Sequence, residues 1–245
     1  IVAEAVDRIA DELEKALGRA GCPQPAAYNP NHHTAAFHNA LQNILQSSLK
    51  VHKRVVFNGN GYEAEWPEEA ERRGLPNAPD TPSALAALAK KENADLFEKY
   101  GVMTKRELES RHEIFLEEYA KKVRIEGACA RDIASEMVFP AVKAEYLETA
   151  EAFAKAEKVG VSSGTAALKQ SLVELGAGLD ALRTGIKDLE DALGGPSFRS
   201  ATDEQKLVPP ESAILSAMRS LRTTVDSLEK RVSASRWPLP KYRDM

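Results

Sequence analysis

Two stretches in the last third of the chain carry unbroken apolar heptads, and a heptad admits few folds. Leu168, Leu172, Leu175, Leu179, Leu182, Ile186, Leu189 and Leu193 alternate spacings of four and three, as do Ile214, Met218, Leu221, Val225, Leu228 and Val232. Residues three or four apart share one face of an α-helix, so each run is a seam that must be buried against another helix. At 1.5 Å per residue the seams are about 38 Å and about 27 Å long. Beside the first lie Ser171, Gly178, Gly185 and Ala192, all small. Glycine inside a helix costs about 1 kcal/mol, which close approach of a neighbouring helix would offset. The connector 194–210, with glycines at one end and prolines at the other, is long enough to reverse direction. An antiparallel helical hairpin is expected.

The rod for that hairpin to pack on is legible upstream. Thr104-Lys105-Arg106-Glu107 is a capping box, in which the threonine side chain bonds the third helical amide and the glutamate reaches back. It opens the longest helical stretch, residues 104–158. Leu108, Phe115, Tyr119, Lys122, Glu126, Cys129, Ile133 and Met137 fall near one stripe, whose polar members imply partial burial. Pro140 lacks an amide hydrogen and should kink or interrupt the helix near Val138–Phe139.

The first hundred residues read as shorter helices. Val2, Val6, Ile9, Leu13 and Leu17 keep helical spacing, and Gly21-Cys22-Pro23 ends that helix. Thr34 is placed to cap a second, with the stripe Phe37, Leu41, Ile44, Ser48 and His52. It fades into Asn58-Gly59-Asn60-Gly61, which must turn. A β-hairpin there is the rival reading, poorly supported by the flank Tyr62–Glu65. Short helices follow over about 65–73, from Thr81-Pro82 with Thr81 as cap, and over about 91–100. The fold class is therefore all-α: long antiparallel, coiled-coil-like helices plus a cap of short ones. The divisions expected are a terminal helix 1–20, a linker or cap region 21–103, and a long-helix bundle 104–245.

Composition closes off several functions. Apolar residues make up 43% and charged ones 29%, too balanced for a disordered chain, and no apolar run approaches the length of a membrane span. A net charge of −4 argues against general affinity for nucleic acid or acidic membranes. Cys22 and Cys129 cannot build a disulfide framework and read as reduced thiols of a cytoplasmic protein. The missing initiator methionine suggests a piece of something longer.

No catalytic, cofactor-binding or metal-ligating residue is assigned. His32, His33 and His38 stand one, five and six apart, whereas a helical zinc site wants two histidines at i, i+4 and a third ligand. Asn58–Gly61 lacks the Gly-Lys-Ser/Thr that would follow in a phosphate loop, so a structural turn is the reading. Lys50, His52, Lys53 and Arg54 stand close in sequence to Glu63, Glu65, Glu68, Glu69 and Glu71, and mutual charge compensation across the turn is expected. Glu117 and Glu118 point about 100° apart on a helix and read as a solvated face. Gly-x-Ser-x-Gly, Cys-x-x-Cys and His-Glu-x-x-His are all absent.

Several strings together resemble one family. They are Lys53–Tyr62 (KRVVFNGNGY), Trp66, Glu69–Asn77 (EAERRGLPN), Thr81–Leu85 (TPSAL), Leu96–Val102 (LFEKYGV), Glu107–Ile114 (ELESRHEI) and Trp237–Met245 (WPLPKYRDM). In this order they are similar to the C-terminal region of type III glutamine synthetases, over essentially the whole chain and most specifically over Lys53–Pro76. The resemblance implies a parent ATP-dependent glutamate–ammonia ligase, with two divalent cations (Mg²⁺ or Mn²⁺) and subunits in two stacked hexameric rings. In that family the metal ligands lie upstream of the region matching Ile1, so none maps onto this chain. What remains is a structural and assembly role, with the chain's own catalytic core and sister subunits as partners. A free-standing helical adaptor without catalysis is the alternative.

Overall fold

The computed structural model describes residues 1–19, 35–195 and 211–240. The elements are α1 (Val2–Arg19), α2 (Ala35–His52), α3 (Glu65–Arg72), α4 (Thr81–Leu85), α5 (Lys91–Lys99), α6 (Lys105–Asp132), a π-helical segment (Ile133–Val138), α7 (Phe139–Lys158), α8 (Thr165–Gly194) and α9 (Glu211–Glu229). No β-strand occurs among the described residues, so the class is all-α and the hairpin alternative at Asn58–Gly61 falls. Two compact units emerge, one of Ile1–Ala84 with Lys91–Val102, the other of Leu85–Lys90 with the chain from Met103 onward. The Thr34 cap, the 21–33 loop with Cys22, His32 and His33, most of the 194–210 connector and the tail after Pro240 lie outside the described residues.

In the second unit the heptads do what their spacing demands. Leu175, Leu182, Ile186 and Leu189 of α8, with Ile214, Leu221 and Leu228 of α9 and Val232 beyond it, are buried in one apolar cluster. Full burial of each such side chain contributes about 1.5–3 kcal/mol. Gly185 faces Leu221 and Gly178 faces Leu228, so residue numbers rise on one helix as they fall on the other. The hairpin is antiparallel. A β-carbon on Gly185 would stand 3.2 Å from Leu221 Cδ1, and one on Gly178 would overlap Leu228; the small flanking positions mark this close approach.

The long rod packs differently from expectation. Thr104 does form the capping box, accepting from the Glu107 amide at 3.3 Å while its own amide donates to Glu107 Oε2 at 2.8 Å. Of the expected stripe, however, Phe115, Lys122, Glu126, Cys129, Ile133 and Met137 are exposed. The buried face runs through Ala120, Val123, Gly127, Ala134, Val138 and Val142. Small residues win because they let α9 approach: a β-carbon at Gly127 would come within 2.7 Å of Ile214 Cγ2. Large side chains on that face would hold the helices apart.

Ala130, Ala134, Val138, Val142 and Tyr146 all touch or form the core cluster, and they lie four apart. At 100° per residue, four such steps drift about 160° past whole turns, so an unbroken α-helix would wind this stripe off its partners. The π segment takes in one extra residue per turn and offsets about 100° of that drift. The Phe139 amide bonds the Ala134 carbonyl, five residues back. Pro140, in the first turn of α7, has no amide to give, so the widened turn sits where an α-helical bond would in any case be missing.

The first unit is built of shorter pieces. α1 packs on α2, with Leu13, Leu17, Phe37, Leu41, Ile44 and Ser48 half-buried and His52 exposed. α3 and α5 end on Gly74 (φ +65°) and Gly101 (φ +62°). Each is followed by an amide bonding five residues back, Leu75 to Ala70 and Val102 to Phe97, both at 2.9 Å. At α4 the cap is Asp80 and not Thr81: Asp80 Oδ1 accepts from the Ser83 amide at 2.8 Å, leaving Thr81 as the first helical residue. Hydrogen bonding from the Ser83 hydroxyl, and then from its amide, holds the Asp80 carboxyl below the usual range.

Candidate functional site

The most elaborate local construction is the segment from Lys53 to Gly74. After α2 the chain tightens into one 3₁₀ turn, Lys53–Val55, and becomes extended at Val56. The Phe57 ring then stacks on Trp66 of α3, centroids 4.6 Å apart and planes at 27°. Gly59 passes so close to the Phe57 ring that a β-carbon would lie 2.7 Å from Cε1. Asn60 ties the turn together: its Oδ1 accepts from the Tyr62 amide at 3.1 Å, and its Nδ2 donates to Glu63 Oε1 at 3.0 Å. From the far end of α3, Arg73 Nη1 donates to the carbonyls of Val56 at 2.7 Å and Arg54 at 3.1 Å. Its Nε pairs with Glu69, and the guanidinium lies 5.8 Å from the Trp66 ring centroid.

This explains why so particular a string occurs here, and what it cannot do. The Tyr62 and Glu63 amides are both taken by Asn60, so they do not converge on an open point where a phosphate could sit. The result is a preorganised turn with Tyr62 wholly exposed at its tip. Arg73 is the hub that reading the sequence missed. Its only linear signal was the i, i+4 relation to Glu69, which looks like any surface pair.

The other residues singled out from the sequence are dispersed. His38 is exposed on α2, its ring edge-on to Phe37. Glu117 pairs with Lys121 at 3.0 Å and Glu118 with Lys122 at 2.8 Å, each four residues on; this is the solvated face expected. Cys129 is a free, exposed thiol. The anticipated compensation between Lys50, His52, Lys53, Arg54 and the acids of 63–71 is not made: Glu69 pairs with Arg72 and Arg73. Among the described residues, no group of three or more His, Cys, Asp and Glu is placed to hold a metal ion. In the second unit a groove of about 470 Å³ is lined by Ile133, Val138, Met218, Val225 and Trp237, with the Arg222–Asp226 pair at its edge. Among the described residues, no helix is long and apolar enough to cross a membrane.

What fold and geometry define is an all-helical module with a rigid aromatic-arginine turn. Residues 40–157 match the family described as the glutamine synthetase C-terminal domain. The chain is 32% identical to a type-3 glutamine synthetase of Dictyostelium discoideum over 84% of its length, and 31% identical to a glutamine synthetase of Butyrivibrio fibrisolvens over the same share. A Bacteroides fragilis glutamine synthetase is 28% identical, also over 84%. The chain belongs to the glutamine synthetase family and corresponds to its C-terminal domain. It spans only 28–29% of the length of these relatives.

Proposed function

We propose that this chain serves assembly in a type III glutamine synthetase, a cytoplasmic enzyme whose whole polypeptide makes glutamine from glutamate, ammonia and ATP with Mg²⁺ or Mn²⁺. In this reading the ligands of the metal ions and of ATP belong to the rest of the polypeptide. The present segment extends that catalytic core and supplies contacts to sister subunits in stacked hexameric rings.

The observation that carries the reading is the unspent apolar surface of the first unit. Val2, Val6, Leu45, Leu49, Val51, Val55 and Val56 are all between half and four-fifths exposed, although all but the extended Val56 stand on helical elements. Exposed aliphatic side chains in this number are a mark of protein–protein contact. A self-sufficient adaptor would turn such side chains inward.

The test compares the full-length protein with a version lacking this segment, by light scattering and by glutamine formation. The expected result is loss of the high-mass assembly on deletion, and no glutamine from the isolated segment. Glutamine formation by the isolated chain would overturn the reading.

A further inference from the structure

Every residue from Leu49 to Val56 is exposed, and the eight divide equally between aliphatic and basic. Leu49, Val51, Val55 and Val56 are 70%, 64%, 56% and 59% exposed, and between them stand Lys50, His52, Lys53 and Arg54. The side chains of these four have no ion pair or hydrogen bond among the described residues, and neither do those of Glu65, Glu68 and Glu71 along one exposed edge of α3. The two groups are nonetheless neighbours, since Arg73 at the end of α3 bonds the carbonyls of Arg54 and Val56. The first unit thus carries a cationic-aliphatic stretch and an acidic edge, each unmatched and joined at one end through Arg73, in a chain whose net charge is negative.

A merely solvated face carries charge without so many bare aliphatics. We infer that this surface is self-complementary and that its partner is a second copy of this chain. The Leu49–Val56 stretch of each copy lies against the Glu65, Glu68, Glu71 edge of the other. A twofold arrangement satisfies both halves with one contact made twice. The fixed turn adds Tyr62, an exposed aromatic that loses little conformational freedom on burial. The inference rests on the assembly reading above and specifies one of its contacts. Stable interfaces use about 20–30 residues a side; this surface offers about half that, so the dimer is weak, concentration-dependent and salt-sensitive.

Analytical ultracentrifugation of the 245-residue chain over a concentration series tests it. At low salt the mass is expected to move toward twice the monomer, and to return at about 1 M salt, where the screening length falls to about 3 Å. Two triple variants sharpen the test, Lys50→Glu/Lys53→Glu/Arg54→Glu and Glu65→Lys/Glu68→Lys/Glu71→Lys. Each alone is expected to stay monomeric, and a one-to-one mixture to associate at least about tenfold more tightly than either alone. If a triple variant loses its helical circular dichroism, the single pair Arg54→Glu and Glu68→Lys replaces it. A wild-type chain monomeric at all concentrations, variants that dimerise unchanged, or a mixture that fails to associate would each overturn the proposal. If those results coincide with loss of assembly on deleting the segment from the full-length protein, the assembly reading stands and only this surface is rejected.

Discussion

Arg124, in the C-terminal half of α6, closes the end of α8 by donating from Nη1 to the carbonyl of Leu193 at 2.7 Å. Its Nη2 donates to the Gly195 carbonyl at 2.8 Å. The last carbonyls of a helix have no partner within it and carry its negative pole, so a half-buried guanidinium satisfies them twice over, by hydrogen bond and by charge. Replacing Arg124 by Met leaves those carbonyls bare beside the core. The second unit should lose about 2 kcal/mol, read as a lower urea midpoint with an unchanged slope. Arg124→Lys should recover less than half, because one ammonium cannot span both carbonyls.

Gly178 and Gly176 lie two apart on α8 and should respond to alanine with opposite signs. Alanine normally stabilises a helix interior by about 1 kcal/mol relative to glycine. At Gly176 the new β-carbon meets only Tyr146 Cε2 at 3.4 Å, an ordinary contact. At Gly178 it collides with Leu228, whose side chain is 1% exposed and has nowhere to go. Gly178→Ala is therefore expected to cost about 1–3 kcal/mol while Gly176→Ala is neutral or stabilising. Thermal melts of the pair decide it, and equal signs would contradict the close helix approach.

Arg73→Lys tests the frame around the exposed turn. A lysine cannot bond two backbone carbonyls and Glu69 while lying over Trp66, so the first unit should weaken by about 1–2 kcal/mol. Trp66 emission should shift to the red as Phe57 and the turn loosen. Because the frame lies wholly in the first unit, unfolding followed at Trp237 should not move.

The join between α1 and α5 should be pH-sensitive at both extremes. Tyr100 donates to Asp7 at 2.6 Å and Lys99 to Glu4 at 2.8 Å. The Asp7 carboxylate, with Glu4 behind it, pushes the Tyr100 hydroxyl up from 10.0 to about 12, and Glu4 pushes Lys99 up from 10.5 to about 12. A raised group stabilises fully below its unfolded value and loses that contribution as pH climbs through the folded one. Glu4, lowered from 4.5 chiefly by Lys99, contributes above 4.5 and loses its share as the solution is acidified. The contact should thus hold from about pH 5 to pH 10. In an absorbance titration, the difference between wild type and Tyr100→Phe should show one phenol ionising near pH 12; ionisation near 10 would exclude the bond.

Periodicity made the hairpin readable because leucines at three and four are large, apolar and regular, and Gly178 and Gly185 told where the backbones close. The buried face of α6 was not readable by the same means. Ala120, Gly127 and Ala134 carry almost no hydrophobic signal, while Phe115, Ile133 and Met137 drew attention to the wrong side. Proline at 140 announced an interruption but not its form, since a kink and a widened turn both spare the missing amide. The turn at 58–61 was legible as a turn; the arginine that pins it was not, because Arg73 and the carbonyls it binds lie 17 and 19 residues apart. Charge proximity along the chain misled in the same way: Lys53 and Glu68 are close in sequence, yet ion pairs form only where side chains reach within a few ångströms.

The π segment also sets where this part of the molecule can change length. A residue gained or lost elsewhere in α6, α7 or α8 rotates everything beyond it by about 100° and swaps the packed face for the wet one. Between Ile133 and Val138 the backbone already absorbs one surplus residue, so a deletion there converts a wide turn into an ordinary one and leaves both flanks in phase with nearly the same neighbours. Among natural variants of this rod, single-residue deletions should gather at that one place.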